Sequence, residues 1–304
     1  MNIPGAPHTL AGQSASSEPA GSVPVVLRWL CDPRSEPFAP TAHDLSPLGG
    51  ILEWAIDAKL VCVLADRLLH GRHDVELTRA MRSFLAQLLR SNARRTHLHR
   101  GEAIRVVQAL NRQGVSAAVL NGLAYDTELY PPGGLRQFTD IDLLVVPDDQ
   151  ETALGVLAEL GFSEQGRGAH TRRRLTGDTL TRSISVDIST SLGHTADPAD
   201  IRQALVGGHS VERSEAEGEL PVLARADALW HALARLAARP RWTSVADASR
   251  LVLTSPDRVS AAAEVSMPDR AHAGWAVLRT YLPDLPLSPP ATGTSELLER
   301  EERS

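Results

Sequence analysis

Residues 135–146 read LRQFTDIDLLVV, and this stretch decides the fold that the sequence predicts. From Thr139 onward polar and apolar residues alternate, which is typical of a β-strand with one buried face. Asp140 and Asp142 therefore share the polar face, about 6.5 Å apart at the backbone. Like charges this close are unfavourable without a cation, and Asp is a poor strand former. The pair predicts a site for divalent cations, and the alternative is a strand whose polar face is simply hydrated.

A second strand of the same kind is predicted near residues 179–189. Ile184, Val186 and Ile188 share its apolar face, and Asp187 lies on the other face with two serines. A third carboxylate thus occupies the polar side of a strand whose opposite side is apolar. The sequence therefore predicts that three carboxylates belong to one sheet.

Helical patterns precede and follow these strands. A long helix is predicted from Glu76 to Gln113, and a second continuous helix from Leu220 to Ala238. The basic run from Arg94 to Arg100 interrupts the first apolar stripe and is interpreted as a solvated helix face. His231 is interpreted as a surface or core histidine rather than a catalytic one. We divide the chain into a disordered arm, a helical region, a sheet-containing core, a helical C-terminal region and a flexible tail: residues 1–22, 23–114, 115–215, 216–283 and 284–304.

Composition narrows the possible classes of protein. The 304 residues carry a net charge of -6, which argues against wide non-specific binding to nucleic acid. Cys31 and Cys62 lack metal-ligand spacing and are expected to be buried thiols in a reducing compartment. Neither a signal peptide nor a membrane-spanning apolar run is recognisable, so we expect no membrane association and a cytoplasmic location. Lys59 is the only lysine, and the bias towards arginine is interpreted as a consequence of base composition.

The central motifs resemble those of the bacterial "uncharacterised nucleotidyltransferase" family, within the superfamily that shares the DNA polymerase β catalytic core. The resemblance covers roughly residues 25–255. It implies an α+β fold, in which a small mixed sheet forms the nucleotidyltransferase core between α-helical N- and C-terminal regions. It also implies two-metal nucleotidyl transfer with Mg²⁺ or Mn²⁺. The segments that carry the resemblance are LNGLA at 120–124, LYP at 129–131, LR at 135–136 and DIDLLV at 140–145.

The resemblance also implies roles for individual residues. Asp140 and Asp142 would be the paired metal ligands, and Asp187 would bind the metal beside the nucleophile and accept its proton. Gly122 would let the backbone approach phosphate at a helix N-terminus, where free N–H groups favour anions.

Two further positions leave alternatives open. Arg136 would either orient the first Asp-bearing strand or contact phosphate. Asn121, also placed at the nucleotide, is a departure, because the family usually has lysine before the glycine. An amide still donates a hydrogen bond but brings no charge. A lost charge-assisted contact is worth about 1.5–3 kcal/mol, enough to slow an enzyme without abolishing its activity.

Three functional hypotheses follow. The first is an enzyme that moves an NMP from an NTP to a hydroxyl-bearing small molecule, natural-product intermediate or peptide. The acidic charge argues against long nucleic acid as the acceptor. The second is a catalytically weakened or inactive module that binds nucleotide or another protein. The third is a toxin-like or antitoxin-like role with a protein partner.

Overall fold

The computed structural model describes residues 23–31, 48–71, 73, 75–164, 172–178, 183–212, 218–254 and 268–282. The predicted disordered arm and flexible tail, residues 1–22 and 284–304, lie outside these residues. None of the described helices has the length and apolar character needed to cross a membrane. Both cysteines are free and buried, as predicted.

Four described helices precede the sheet. They are α1 (Val23–Cys31), α2 (Leu48–Asp57), α3 (Val61–His70) and α4 (Arg79–Arg112). The long helix α4 begins where the Thr78 hydroxyl accepts a hydrogen bond from the Met81 backbone N–H at 3.2 Å. It ends before Gly114, which has a φ of +75°. The predicted helix from Glu76 to Gln113 is therefore confirmed within three residues at each end.

The described strands form one seven-stranded sheet in the order β3–β4–β5–β2–β1–β7–β6. The pairs β2–β5 and β1–β7 are parallel, and the other neighbouring pairs are antiparallel. The sheet is therefore mixed, as predicted. The strands are β1 (Ala117–Leu120), β2 (Asp140–Val145), β3 (Ser163–Glu164), β4 (Arg172–Asp178), β5 (Ser183–Ser189), β6 (His209–Val211) and β7 (Leu220–Val222).

The remaining described helices lie between and after the strands. They are α5 (Asn121–Leu129), α6 (Gln150–Glu159), α7 (Pro198–Gly207), α8 (Arg225–Ala238), α9 (Trp242–Thr254) and α10 (Asp269–Tyr281), with a 3₁₀ turn at Pro147–Asp149. The helix α8 packs on both α9 and α10, so the C-terminal helices form one layer. This arrangement confirms the predicted α+β fold.

The two faces of the sheet pack against different layers. On one face, Ile141, Leu143, Val186 and Ile188 belong to a buried cluster with apolar residues of α4 and α6. On the other face, Leu144 belongs to a second cluster, built by the N-terminal helices together with α8, α9 and α10. The acidic residues of the sheet lie on this second face, and they line a cavity there.

Two details of the predicted helices were wrong. Leu220 and Val222 belong to strand β7 rather than to the helix that follows. Both side chains are buried in the cluster that contains the apolar residues of α4. The basic run on α4 is only partly solvated, since His99 and Arg100 are buried. The Arg100 guanidinium donates to the Val211 carbonyl at 2.8 Å. Both errors arise because the β6–β7 hairpin covers α4, a long-range contact that local periodicity does not report.

Candidate functional site

The three predicted carboxylates lie on neighbouring strands. Asp140 and Asp142 are two residues apart on β2, and Asp187 on the parallel strand β5 is the register partner of Asp142. Because paired residues of adjacent strands point to the same side of a sheet, all three share one face. Asp142 is 7% exposed and Asp187 is 2% exposed, yet both line the same cavity as Asp140.

The cavity has a volume of about 810 Å³. This lies within the range of about 300–1,000 Å³ that is typical of small-molecule sites. Besides the carboxylates, its lining includes five cationic residues: Lys59, Arg136, Arg235, Arg239 and Arg241. A cavity lined by both carboxylates and cations suits a ligand that is itself anionic and can bind metal.

Asn121 connects the cavity to the first acidic strand. It follows β1 directly, begins α5 and has a φ of +53°. Its side-chain Nδ2 donates a hydrogen bond to Asp142 Oδ2 at 2.9 Å. Asn tolerates this left-handed conformation better than most residues. The residue that replaces the expected lysine therefore holds one of the candidate metal ligands.

His231 completes a buried hydrogen-bonded chain. Its Nε2 lies 3.0 Å from Asn121 Oδ1, and its Nδ1 lies 2.6 Å from the Leu192 carbonyl oxygen. Because Asn121 donates to Asp142 with its nitrogen, its oxygen must accept, and a carbonyl can only accept. Both ring nitrogens of His231 therefore face acceptors, which an imidazole satisfies fully only when it is doubly protonated. His231 thus donates to Asn121, and Asn121 donates to Asp142, where the chain ends.

Gly122 has a steric role that the sequence did not indicate. A Cβ added at this position would lie 2.4 Å from Phe138 Cβ, far inside normal contact. The glycine thus allows the chain that enters β2 to pack against the first turn of α5. Gly122 also lines the cavity. The approach of its backbone to phosphate, which the resemblance implies, stays a prediction.

Arg136 is committed to an ion pair. Its guanidinium donates to both carboxylate oxygens of Asp247 on α9, at 2.9 Å from Nε to Oδ1 and 2.9 Å from Nη2 to Oδ2. Burial alone would lower the pKa of Arg136, and the Asp247 carboxylate more than reverses this and raises it. Of the two roles left open for Arg136, this geometry favours orientation of the strand over phosphate contact.

Asp247 also accepts a hydrogen bond from the Tyr130 hydroxyl at 2.8 Å. Burial raises the pKa of Tyr130, and the Asp247 carboxylate raises it further, so the phenol stays a donor. The Arg136 backbone N–H donates to Asp126 Oδ1 at 2.8 Å. Arg136, Tyr130, Asp126 and Asp247 thus form a buried brace between α5, α9 and the entrance to β2.

The carboxylates fit a divalent cation by type and position. Carboxylate oxygens are the ligands that Mg²⁺ and Mn²⁺ prefer, and two neighbouring buried carboxylates favour a shared cation. Among the described residues, no three His, Cys, Asp or Glu side chains form a ready-made metal cluster. Mg²⁺ sites commonly use one or two carboxylates together with water and substrate phosphates, rather than an all-protein cage.

Sequence reasoning missed several residues of the cavity. His231 and Arg235 lie four residues apart on α8, and Arg239 follows four residues later just after the helix ends, a spacing that could have been read from the sequence. Asp247 interrupts an apolar helix, which is a weaker signal for a buried partner. Lys59 was identified as the only lysine, but no local sequence pattern places it beside cavity residues that lie 60 or more positions away.

Comparison with known proteins identifies relatives of this chain. A family model described as "Uncharacterised nucleotidyltransferase" matches residues 48–262. No curated protein matches the sequence. Among solved structures, the chain is similar to an antigenic nucleotidyltransferase-like protein from Paracoccidioides brasiliensis, with 14% identity, a TM-score of 0.40, and coverage of 60% of this chain and 87% of that chain.

A second similar structure is that of the antibiotic-resistance factor ANT(2'')-Ia. The identity is 14%, the TM-score is 0.39, and the match covers 68% of this chain and 99% of that chain. The family match is the stronger finding, because it spans more than half of the sequence and includes every predicted site residue. The chain belongs to the family of uncharacterised nucleotidyltransferases.

Proposed function

We propose that the protein transfers an NMP from an NTP to a hydroxyl-bearing acceptor. The acceptor oxygen forms a bond to the α-phosphorus, the bond from that phosphorus to the bridging oxygen breaks, and pyrophosphate leaves. The observation that supports this most is the register pairing of Asp142 with Asp187 beside a cavity that five cationic residues also line. The charges suit both the phosphates and the metal ions of such a reaction.

Asp140, Asp142 and Asp187 are the residues that would hold Mg²⁺ or Mn²⁺. When bound, these ions lower the pKa of an attacking hydroxyl and neutralise charge on the phosphates. Asn121 would keep the Asp142 carboxylate in one orientation through its 2.9 Å hydrogen bond. Asp187, on the strand beside Asp142, would take the proton of the acceptor hydroxyl.

The size of the cavity and the charge of the chain support the proposed acceptor class. A volume of about 810 Å³ accommodates a nucleotide together with part of a small molecule, a natural-product intermediate or a peptide end. The net charge of -6 disfavours long nucleic acid. The cationic residues of the cavity suit the negative charge of a triphosphate.

A second candidate is a nucleotide-binding or protein-interaction module with little activity. Two observations favour it: Asn121 brings no charge to the nucleotide, and the described residues hold no ready-made cluster of three metal-ligating side chains. The two candidates differ in their dependence on metal. An active enzyme needs Mg²⁺ and all three carboxylates, whereas a binding module would tolerate the loss of either.

The test is binding and turnover with each of ATP, GTP, CTP and UTP labelled at the α-phosphate. We expect Mg²⁺-dependent binding of at least one NTP and transfer of label to a component of a small-molecule or peptide extract. EDTA should abolish transfer, and Asp142→Asn should do the same while the protein stays folded. Neither binding nor turnover with any of the four would contradict the proposal. Binding that is indifferent to Mg²⁺ and to Asp140→Ala would favour the module.

A further inference from the structure

Lys59 occupies the turn between α2 and α3 and reaches the cavity from outside the sheet-containing core. It is the only lysine in a chain whose other 30 strongly basic residues are arginine. Its side chain is exposed at the cavity, and among the described residues no hydrogen bond or ion pair engages its ammonium group. The N-terminal helical region thus contributes one cation to the candidate active site.

The backbone of Lys59 is strained. Its φ is +56°, a left-handed conformation that disfavours any residue with a Cβ. In the described part of the chain, the only other non-glycine residue with positive φ is Asn121, which lines the same cavity. At Lys59 this conformation closes the C-terminus of α2, where the Lys59 N–H donates to the Ile56 carbonyl at 3.0 Å and the Leu60 N–H to the Ala55 carbonyl at 2.8 Å.

The charges around Lys59 add a second cost. Burial lowers the pKa of its ammonium group, and the neighbouring guanidinium groups of Arg136, Arg241 and Arg95 lower it further. Asp140 is the group that opposes this shift. Cations that repel one another are stabilised when an anion binds between them. Repulsion between these cations therefore disfavours the cavity without an anion, and a bound anion relieves it.

We propose that Lys59 binds the β- and γ-phosphates of the NTP, and so acts as a phosphate ligand supplied by the N-terminal helices. This inference rests on the proposed function, since it assumes that an NTP occupies the cavity. Lys59 interacts electrostatically both with Asp140, a candidate metal ligand, and with Arg241. A phosphate chain that extends from the metal site towards the cationic residues would pass this ammonium group. A flexible ammonium is a strong point-charge ligand for phosphate.

The first test uses the fact that Lys59 is the only lysine. An amine-acetylating reagent can modify just two kinds of amine on an untagged chain, the Lys59 ammonium group and the α-amine, and mass spectrometry separates them. We expect NTP with Mg²⁺, and inorganic tripolyphosphate with Mg²⁺, to slow acetylation of Lys59 about tenfold or more. The corresponding NMP should not slow it, and the α-amine serves as the internal control.

The second test uses variants of Lys59 with calorimetric binding of the same NTP and NMP. Lys59→Met should weaken NTP binding about 10- to 100-fold and leave NMP binding unchanged. Lys59→Arg should restore part of the affinity. Lys59→Asn should weaken NTP binding equally, yet keep or raise Tm, because Asn tolerates positive φ. Arg79→Met, at an exposed cation outside the cavity, is the matched control and should change neither affinity.

The outcomes separate this inference from the proposed function. If the wild type binds NTP, but Lys59 is acetylated at the same rate with and without it, the inference is overturned and the proposed function stands. Equal NTP affinity of Lys59→Met and the wild type would also overturn the inference and leave the proposed function standing. If the wild type binds no NTP, both fail together.

Discussion

The two faces of the central sheet differ although the same strands build them. On β5, Ile188 faces the cluster with α4 and α6 and is fully buried, while its neighbour Asp187 faces the cavity. Both side chains are removed from bulk water, at 0% and 2% exposure. Burial of an aliphatic side chain stabilises the fold, whereas burial of a carboxylate costs free energy unless it is paired or bound to metal.

This difference separates stability from chemistry along one strand. The apolar face needs only volume and shape, and many aliphatic residues would serve. The acidic face needs particular oxygen atoms in particular places, and it carries a polar network that includes Asn121 and His231. Substitutions on one face should therefore change unfolding, and substitutions on the other should change turnover.

The largest expected effect comes from neighbouring substitutions on β5. Asp187→Asn should lower NMP transfer by about 10³-fold, since loss of a proposed metal ligand would remove several kcal/mol from transition-state stabilisation. Ile188→Ala should lose about 2–5 kcal/mol of unfolding free energy but keep its turnover per folded molecule. Thermal unfolding and labelled-NTP assays measure both, and equal losses of activity would contradict the separation.

A smaller effect is expected within the polar network. His231→Ala removes the donor that faces Asn121, so Asn121 should hold Asp142 less firmly, and the Mg²⁺ concentration for half-maximal activity should rise about 10- to 100-fold. His231→Gln keeps a donor and should retain more activity.

Mg²⁺ titrations of the wild type, His231→Ala and His231→Gln measure this difference. An equal Mg²⁺ requirement for His231→Ala and the wild type would contradict the proposed role of the hydrogen-bonded chain.

The smallest effect compares two helical glycines, one closely packed and the other open to space. Gly122→Ala on α5 would push a Cβ to 2.4 Å from Phe138 Cβ and should cost about 1–3 kcal/mol of stability. Gly155→Ala on α6 meets nothing within 4 Å and should gain about 0.5–1 kcal/mol through helix propensity. Urea unfolding measures both. If Gly122→Ala leaves the unfolding free energy unchanged, the Phe138 side chain can move to make room for the added Cβ at little cost.

Prediction from the sequence succeeded where periodicity is local. The alternation in residues 135–146 identified β2 and the face on which Asp140 and Asp142 lie. The same reasoning located β5 and the orientation of Asp187, and the 3.6-residue period located α4. It failed for Leu220 and Val222, because a three-residue strand before a helix has no period of its own.

The amino-acid sequence alone determined which residues form β2 and β5, and which face of its own strand each of Asp140, Asp142 and Asp187 occupies, since both depend on side-chain alternation within one strand. Only the tertiary structure decided the pairing of Asp142 with Asp187, the ion pair of Arg136 with Asp247 and the presence of Lys59 at the cavity. The physical reason is distance along the chain. Asp142 and Asp187 are 45 residues apart, Arg136 and Asp247 are 111 apart, and Lys59 is more than 60 residues from the next cavity residue. Packing of whole helices and strands brings these groups together.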